Sequence, residues 1–379
     1  MGNCFLGLGN NPNLNQNQLF VLQGLFHPNT NWDPPSSKRA ITTLDIRHHF
    51  VITRKELGHG SFGVVRECIS RRTGGTFAVK SVCKVRVDDI KILQREVAAL
   101  KHLSHVNIIK LEADFEDQYF VHLVTPIYSG PQLFTYVNER RGAISEDVTA
   151  DLLFQIVDAV AYCHSRGIVH RDIKLENFVF ETAHSDAKLK LLDFGLSRSF
   201  NPSKRSYMKT IVGTREYLSP EVIKGKYTEK CDFWAIGIIA YVLLGGAFPF
   251  LGKCEGETMY KILEKDVRFP FKDWRRISSN AKDLVSKLLL KDWKSRPAAK
   301  DIILHPFFGS QNVSEIEYLS HKQSVSGELS HIATQASLCD ESFHQPKPQS
   351  QPCELAPAPC ELLSQDCEIF SCNLMTGCM

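Results

Sequence analysis

The chain has 379 residues, 43% of them hydrophobic, which is enough for two or three compact units with a sizeable core. Its formal net charge of +3 at pH 7 is far from the strongly basic balance of a typical nucleic-acid-binding protein, so we expect no nucleic-acid partner. Several of the 12 cysteines stand singly within apolar segments, and residues 1–20 are Asn-rich without the basic start of a secretory signal. These features predict free thiols and a reducing, cytoplasmic compartment.

Residues 1–49 are predicted to be a disordered segment, because Asn-Pro and Pro-Pro steps interrupt them. The opening letters MGNC permit a double lipid anchor, with myristate on Gly2 and palmitate on Cys4. The usual myristoylation pattern has Ser or Thr at position 6, whereas this chain has Leu6, and no polybasic run follows. Two interpretations stay open, a lipidated segment that contacts a membrane and an unmodified disordered one.

Residues 50–308 have the composition of a globular domain, whose first part predicts strands over 50–57, 63–68 and 76–80. A helix is predicted over 88–102, because Leu93, Val97 and Leu100 recur at intervals of four and three residues. Beyond residue 131 the periodicity is mostly helical, over 146–164, 232–244, 257–265 and 279–290.

The most apolar stretch, residues 234–250, contains Gly245, Gly246 and Pro249, whereas a membrane span needs about eighteen or more unbroken apolar residues. We therefore predict a helix buried in a core. Residues 309–379 are rich in Ser, Gln, Pro and Cys with few large apolar clusters, and this composition predicts a disordered tail. The tail contains no Cys-x-x-Cys pair, so the sequence does not predict a zinc site there.

A glycine-rich turn between the first two predicted strands fits the pattern G-x-G-x-x-G-x-V, in Gly58-His59-Gly60-Ser61-Phe62-Gly63 with Val65. Glycines let such a turn approach phosphate oxygens without a side-chain clash. Dinucleotide-binding crossovers share the glycine pattern, but they need a helix directly after it. Here β-branched Val64 and Val65 follow, which favours a strand and disfavours that interpretation.

Lys80 ends a short apolar strand, and Glu96 lies on the face of the predicted helix that carries Leu93 and Leu100. An inward-facing Glu needs a cation, because an unpaired buried carboxylate is costly. We therefore predict an ion pair between Lys80 and Glu96, the alternative being two unrelated surface charges.

Residues 170–177, with the letters HRDIKLEN, place Lys174 and Asn177 two and five positions after Asp172. Asp193 begins a DFG tripeptide sixteen residues after Asn177. Transfer of a phosphoryl group from ATP needs these groups: a carboxylate to orient the attacking hydroxyl, a cation on the moving phosphoryl group, and an amide oxygen and a second carboxylate for magnesium.

With these motifs in this order and at these distances, the chain resembles the eukaryotic protein kinases. The resemblance implies an α+β, bilobal fold, with a small antiparallel-sheet lobe that contains one key helix (50–124), a hinge (125–130) and a larger, mainly helical lobe (131–308). It implies ATP and Mg²⁺ as cofactors and protein substrates with Ser or Thr. Gly213-Thr214 and Lys174 resemble the serine/threonine class.

The resemblance also implies a role for each site residue. Asp172 would orient the substrate hydroxyl, with Thr214 bonded beside it, and Lys174 would contact the transferring phosphoryl group. Asn177 and Asp193 would hold magnesium. Lys80 would bind the α- and β-phosphates, with Glu96 as its clamp. The residues expected around ATP are Leu57, Gly58, His59, Gly60, Ser61, Phe62, Gly63, Val65, Ala78, Lys80, Thr125, Tyr128 and Gln132.

The segment from Asp193 to Glu221, here called the activation segment, resembles the regulatory segment of kinases. Thr210 stands where many kinases carry an activating phosphate, added by an upstream kinase or by self-phosphorylation, and Arg171 and Arg198 stand where its partners usually lie. The alternative is an exposed Thr in a flexible loop. Two structural predictions follow from the resemblance: Glu221 pairs with Arg296, and Asp232 anchors the central helix of the large lobe.

Residues 50–308 are most similar to the calcium/calmodulin-dependent group, which includes the calcium-dependent kinases of plants and protists. The cues are the letters DIKLEN, GTREYL, WAIG and HPFF. However, the chain has no D-x-[DN]-x-[DN]-G loop, so we do not expect direct calcium binding, and residues 309–345 contain no basic amphipathic helix for calmodulin. Gln132 stands where relatives tend to have Glu, which leaves Glu176 and Glu216 to favour basic substrates.

The sequence therefore predicts an active serine/threonine protein kinase that is regulated through its activation segment. The alternative is a catalytically silent pseudokinase scaffold, which the loss of a catalytic residue would favour. Lys80, Asp172, Asn177 and Asp193 are all present. A small-molecule kinase is disfavoured by the complete activation segment.

Overall fold

The computed structural model describes residues 45–60, 63–86, 90–140, 144–184, 186–200 and 207–309. Four predictions lie wholly or mostly outside the described residues: lipidation at Gly2 and Cys4, the disordered segment 1–49 up to residue 44, the nucleotide contacts of Ser61 and Phe62, and the disordered tail beyond residue 309.

The small lobe is built on a five-stranded antiparallel sheet in the order β1-β2-β3-β5-β4. Its strands are β1 (Phe50–Gly60), β2 (Gly63–Ser70), β3 (Thr76–Cys83), β4 (Ala113–Glu116) and β5 (Phe120–Thr125). The first strand runs three residues further than the predicted 50–57, because its pairing with β2 continues to Gly60 opposite Gly63.

Helix α1 (Ile90–His102) covers one face of this sheet. Its apolar positions Leu93 and Val97 pack with Val82, Val121 and Leu123 of the sheet in one buried cluster. The spacing of four between Leu93 and Val97 places them on one helix face, and Glu96 shares that inward side. The sheet's apolar face therefore determines where the Glu96 carboxylate lies.

The large lobe is mainly helical. Its helices are α2 (Leu133–Glu139), α3 (Glu146–Ser165), α4 (Pro220–Ile223), α5 (Lys230–Gly245), α6 (Glu255–Glu264), α7 (Phe271–Trp274), α8 (Ser279–Leu288) and α9 (Ala299–Ile303). Helix α5 is buried over almost all of its surface, as the apolar sequence predicted, and ends at Gly246 with a left-handed φ of 73°. None of the helices in the described part of the chain combines the length and the apolarity that a membrane span requires.

Two short antiparallel strand pairs lie in the large lobe. Strand β6 (Ile168–Val169) pairs with β9 (Arg198–Ser199), and β7 (Phe178–Phe180) pairs with β8 (Leu189–Leu191), all antiparallel. Residues 170–177 lie between β6 and β7, and Asp193 lies between β8 and β9. The pairing therefore brings the two sequence motifs to the same edge, and the predicted α+β fold of two lobes is confirmed.

Candidate active site

The loop of residues 170–177, here called the catalytic loop, is anchored by a buried carboxylate at the start of α5. Asp232 accepts hydrogen bonds from the backbone N–H groups of His170 and Arg171, both at 2.9 Å, and from His164 Nε2 at 2.8 Å. Burial alone would raise the pKa of Asp232, but the hydrogen bond from His164 and the other donors outweigh it and hold the pKa below its ordinary value. An ionised carboxylate thus stabilises the left-handed backbone of Arg171, whose φ is 69°.

Asp172 is the centre of a hydrogen-bonded network. Its Oδ2 accepts from Lys174 Nζ at 2.6 Å, and its Oδ1 accepts from Thr214 Oγ1 at 2.8 Å and from the Thr214 backbone N–H at 3.0 Å. Lys174 Nζ also donates to Thr214 Oγ1, at 2.8 Å. Asn177 Nδ2 donates to the Asp172 carbonyl at 2.8 Å. The structure therefore brings together four polar residues to which the sequence assigned roles in phosphoryl transfer, whereas the roles themselves stay predictions.

Lys80 of the small lobe interacts electrostatically with two carboxylates, Glu96 in α1 and Asp193 in the large lobe. Its Nζ lies 3.2 Å from Glu96 Oε1, and the side chains are only 18% and 4% exposed. Burial alone would lower the pKa of Lys80, but the nearby carboxylates of Glu96 and Asp193 outweigh it and raise the pKa above its ordinary value. Lys80 is therefore a cation in the site at neutral pH.

Asp193 sits in a strained backbone position, with a φ of 51°, and its Oδ1 accepts from the Gly195 N–H at 3.1 Å. Burial alone would raise the pKa of Asp193, but the attraction of Lys80 and this hydrogen bond outweigh it, and the pKa lies below its ordinary value. Phe194 packs edge-on against His170 with ring centroids 4.9 Å apart. Asp193 is thus an ionised carboxylate beside Lys80.

The glycine-rich turn lies next to Lys80 in the sheet. Val65 pairs with Gly58 in β1 and with Lys80 in β3, and the hairpin closes at Gly60 opposite Gly63. A Cβ atom on Gly58 would meet nothing within 4 Å, so the space over this strand is open. Leu57 is 37% exposed at the same strand. Gly58 therefore lies two strands from Lys80, at the same level of the sheet.

The hinge connects β5 to α2. Thr125 ends β5 opposite Ala78, and Gln132 precedes α2 and pairs with Val179 through its backbone. The Tyr128 hydroxyl lies 3.5 Å from the Lys110 N–H, and Lys190 Nζ lies 5.6 Å from the Tyr128 ring centre. The Tyr128 side chain is therefore engaged with Lys110 and Lys190, and its contact with ATP stays a prediction.

A sequence model of the family described as protein kinase domain matches residues 51–308. The chain belongs to the protein kinase family. It is 38% identical over 276 residues to calcium-dependent protein kinase SK5 of Glycine max, covering 72% of this chain and 54% of the relative.

Two further relatives carry similar names. Calcium-dependent protein kinase 1 of Arabidopsis thaliana is 36% identical over 289 residues, covering 72% of this chain and 47% of the relative. Calcium-dependent protein kinase 5 of Plasmodium berghei is 36% identical over 265 residues, covering 70% and 46%. The chain spans about half the length of the curated relatives it matches, and the predicted similarity to the calcium-dependent kinases is confirmed.

The activation segment of this kinase domain is tied to the large lobe by a buried ion pair. Arg296 Nη1 lies 2.6 Å from Glu221 Oε1 and Arg296 Nη2 lies 3.1 Å from Glu221 Oε2, with side chains 0% and 4% exposed. Arg296 also donates to the carbonyls of Lys230 and Leu290. The two residues that the resemblance paired therefore form a bidentate contact.

The predicted regulatory residues lie in different surroundings. Thr210 is exposed, and Arg198 is exposed in β9, where its backbone pairs with Val169. Arg171 is half-buried, and its guanidinium bonds to the Leu196 carbonyl and the Tyr227 hydroxyl. The structure does not bring the Thr210 side chain into a direct bond with Arg171; Tyr227 lies between them, since its hydroxyl also donates to the Thr210 carbonyl.

Sequence reasoning missed Arg215, next to Thr214 in a 3₁₀ turn over Arg215–Tyr217. Its Nε lies 3.1 Å from Glu216 Oε1 and its Nη1 lies 3.7 Å from Glu255 Oε2. Glu216, one of the two acids expected to favour basic substrates, is thus already paired within the chain. The adjacent Arg and Glu in the sequence signal this pair, but the contact with Glu255 in α6 depends on the fold.

Proposed function

We propose that this chain is an active serine/threonine protein kinase that transfers the γ-phosphoryl group of ATP to Ser or Thr hydroxyls of protein substrates. The observation that carries the proposal is the network of Asp172, Lys174, Thr214 and Asn177, which is complete and mutually bonded. A silent scaffold has no need for such an arrangement, because a buried charge pair contributes little to stability by itself.

The donor set fits magnesium. Asn177 uses its amide N–H to bond the Asp172 carbonyl, which leaves the amide oxygen for a metal. Asp193 is an ionised carboxylate with one oxygen bonded to Gly195. Hard oxygen ligands of this kind are the ones that Mg²⁺ prefers, and bound Mg²⁺ with ATP would neutralise phosphate charge and supply the transferred group.

The chain's own residues then act on the reacting atoms. Asp172 Oδ1 and Oδ2 are oriented by Thr214 and Lys174, so one of them can hold the substrate hydroxyl and take its proton. Lys174 Nζ is a fixed cation in the same network, suited to the charge that spreads over the phosphoryl oxygens. Lys80, held by Glu96, orients the phosphates of the nucleotide.

Phosphate transfer to a mixed Ser/Thr peptide library tests the proposal. We expect the full chain to transfer phosphate from Mg-ATP, Asp172→Asn to lose at least about a thousandfold in kcat, and Asp283→Asn to stay near wild type. Asp283→Asn is the matched control, because this carboxylate bonds only Lys287 and His305 among the described residues. Nucleotide binding without transfer by the wild type would favour the pseudokinase scaffold instead.

We further propose that phosphorylation of Thr210, by an upstream kinase or by the chain itself, raises activity. Two observations support this: Thr210 is exposed, and the Tyr227 hydroxyl bonds both to Arg171 and to the Thr210 carbonyl. A phosphate on Thr210 could form charge-assisted bonds with the Arg171 guanidinium. Mass spectrometry of the active enzyme should find phosphate on Thr210, and Thr210→Ala should abolish the stimulated fraction of activity. Stimulation that persists in Thr210→Ala would contradict the switch.

A cytoplasmic location with membrane contact through Gly2 and Cys4 is likewise a proposal, supported by the opening letters MGNC. Labelling of cells with a myristate analogue should mark the wild type but not Gly2→Ala.

Running the peptide assay with and without calcium–calmodulin tests whether calcium acts on this chain, as the names of its relatives suggest.

A further inference from the structure

The guanidinium of Arg171 bonds to the activation segment and to a residue beyond it. Its Nε donates to the Leu196 carbonyl at 2.7 Å, and its Nη1 donates to the Tyr227 hydroxyl at 3.2 Å. Its backbone is fixed by Asp232. The Arg that many kinases reserve for a phosphate therefore has a protein acceptor here, the phenol oxygen of Tyr227.

Tyr227 in turn bonds the activation segment in three ways. Its hydroxyl donates to the Thr210 carbonyl at 2.7 Å, and its backbone exchanges two hydrogen bonds with Met208, at 2.9 and 3.1 Å. Tyr227 is 0% and Met208 3% exposed, so both side chains are packed in the same apolar cluster. Residues 208–210 are thus held by main-chain pairing, by apolar packing and by one phenol.

The protonation of the phenol suits this arrangement. Burial raises the pKa of Tyr227, although the hydrogen bond from Arg171 partly opposes the effect. The hydroxyl therefore keeps its proton at neutral pH and donates it to Thr210 while its oxygen accepts from Arg171. A Phe at this position would fill the same space but would leave Arg171 and the Thr210 carbonyl without that partner.

The held residues lead directly into the catalytic network. Thr210 is four residues before Thr214, whose hydroxyl and N–H bond Asp172. Because residues 211–213 are a short connection, displacement of the Thr210 backbone would be passed to Thr214. The two hydrogen bonds from Arg171 to Tyr227 and from Tyr227 to Thr210 are here called the relay. The relay therefore connects the catalytic loop to the segment that carries Thr214.

We propose that Tyr227 is a positioning residue that holds the activation segment in its active arrangement while Thr210 carries no phosphate. The proposal rests on the proposed kinase function and deepens it, since it provides basal activity before any phosphorylation. The Thr210 contact uses the backbone carbonyl, so the relay is independent of the Thr210 side chain. A phosphate on Thr210 would then add to an existing arrangement by giving Arg171 a second anionic partner.

The test compares two Tyr→Phe changes in full-length Thr210→Ala protein, which cannot be phosphorylated at this position. Tyr227→Phe removes the relay. Tyr241→Phe is the matched control, because it removes another buried-ring hydroxyl that donates to a main-chain carbonyl, that of Arg268 at 2.8 Å. We expect Tyr227→Phe to lower kcat per nucleotide-binding site about tenfold with little change in the KM for ATP, and Tyr241→Phe to stay within about twofold.

Hydrogen exchange supplies a readout that general destabilisation would not give. In Tyr227→Phe we expect faster exchange over residues 207–214 and unchanged exchange in α5. In Tyr241→Phe we expect faster exchange in α5 and unchanged exchange over residues 207–214. Equal kcat in the two variants, or unchanged exchange at 207–214 in Tyr227→Phe, would overturn the relay. If the wild type transfers no phosphate, the proposed function fails, while the exchange measurement still decides whether Tyr227 holds the segment.

Discussion

At the scale of single residues, the Glu96 carboxylate is the group on which the charge of Lys80 depends most directly. It is almost completely buried and lies 3.2 Å from Lys80 Nζ. Helical periodicity predicted its inward direction, and the cost of an unpaired buried carboxylate predicted the cation. The structure brings the pair together, whereas the roles of the two residues toward ATP stay predictions.

We expect Glu96→Gln to lower kcat/KM for ATP by about a hundredfold, because the neutral amide no longer holds Lys80 in place. Steady-state kinetics at varied ATP concentration measures this. Glu67→Gln is the control, since Glu67 pairs with Lys55, a largely exposed cation on the same sheet. Similar losses in both variants would argue that the sheet, and not the ion pair, is what the substitution disturbs.

The ion pairs of Arg215 lead to a prediction about substrate choice. Arg215 partly neutralises Glu216 and Glu255, and it is 44% exposed. We expect Arg215→Ala to lower the KM for Arg-containing peptides about threefold and to leave peptides without basic residues unchanged, a modest effect because exposed pairs are weak. Arg47→Ala, which breaks an exposed pair with Asp45, is the control. An equal effect on both peptide classes would exclude a role in charge selection.

At the scale of elements, the pair of Glu221 and Arg296 decides how the end of the activation segment is joined to the large lobe. Both side chains are buried, and Arg296 Nη1 and Nη2 make four bonds in total to Glu221, Lys230 and Leu290. Helix α4 is a single turn that carries Glu221, so it has little stability of its own and depends on this contact.

We expect Glu221→Gln to reduce the free energy of unfolding by about 3 kcal/mol, because it leaves the Arg296 charge buried without its anion. Urea denaturation measures the loss. Glu257→Gln is the control, as its i,i+4 pair with Lys261 lies on the surface of α6 and should change stability by less than about 0.5 kcal/mol. A loss of the same small size in Glu221→Gln would show that the buried pair contributes no more than a surface one.

At the scale of the whole molecule, Lys291 connects stability to pH. Its ammonium bonds to the carbonyls of Lys261 and Ile262 at the end of α6 and lies 4.5 and 5.3 Å from the ring centres of Phe250 and Trp234. Burial lowers the pKa of Lys291 from an ordinary 10.5 to about 8.

Between these two pKa values the unfolded chain binds a proton that the folded chain has lost, so this residue makes stability rise as the pH increases from about 8 to 10.5. We expect an increment on the order of 1 kcal/mol after solvent screening. Urea unfolding of wild type and Lys291→Met at pH 7.5 and pH 10 isolates it from other titrating groups. The same pH dependence in both proteins would refute the assignment.

Sequence patterns were sufficient to predict the class of fold, the residues of the catalytic loop and the pairing of Lys80 with Glu96. These depend on short-range spacing: Asp172, Lys174 and Asn177 share one loop, and a helix period orients Glu96. Membership in the kinase family followed from the same motifs and is confirmed by the match over residues 51–308. Element boundaries were less well predicted, as at α8, which ends at Leu288 and not at 290, because the Leu289 N–H closes the last turn on Val285.

Contacts between side chains that are far apart along the chain became evident only after folding was known. No sequence pattern distinguishes Tyr227 from other aromatic residues, yet folding places its hydroxyl between Arg171 and Thr210. Lys291 reads as a surface cation, yet it lies against two aromatic rings. In each case the partners are far apart along the chain, and no local pattern encodes the contact. The residues proposed for phosphoryl transfer were predictable from short motifs, because their roles require a fixed spacing along the chain. The contacts that hold these residues in place arise from the packing of whole helices and strands.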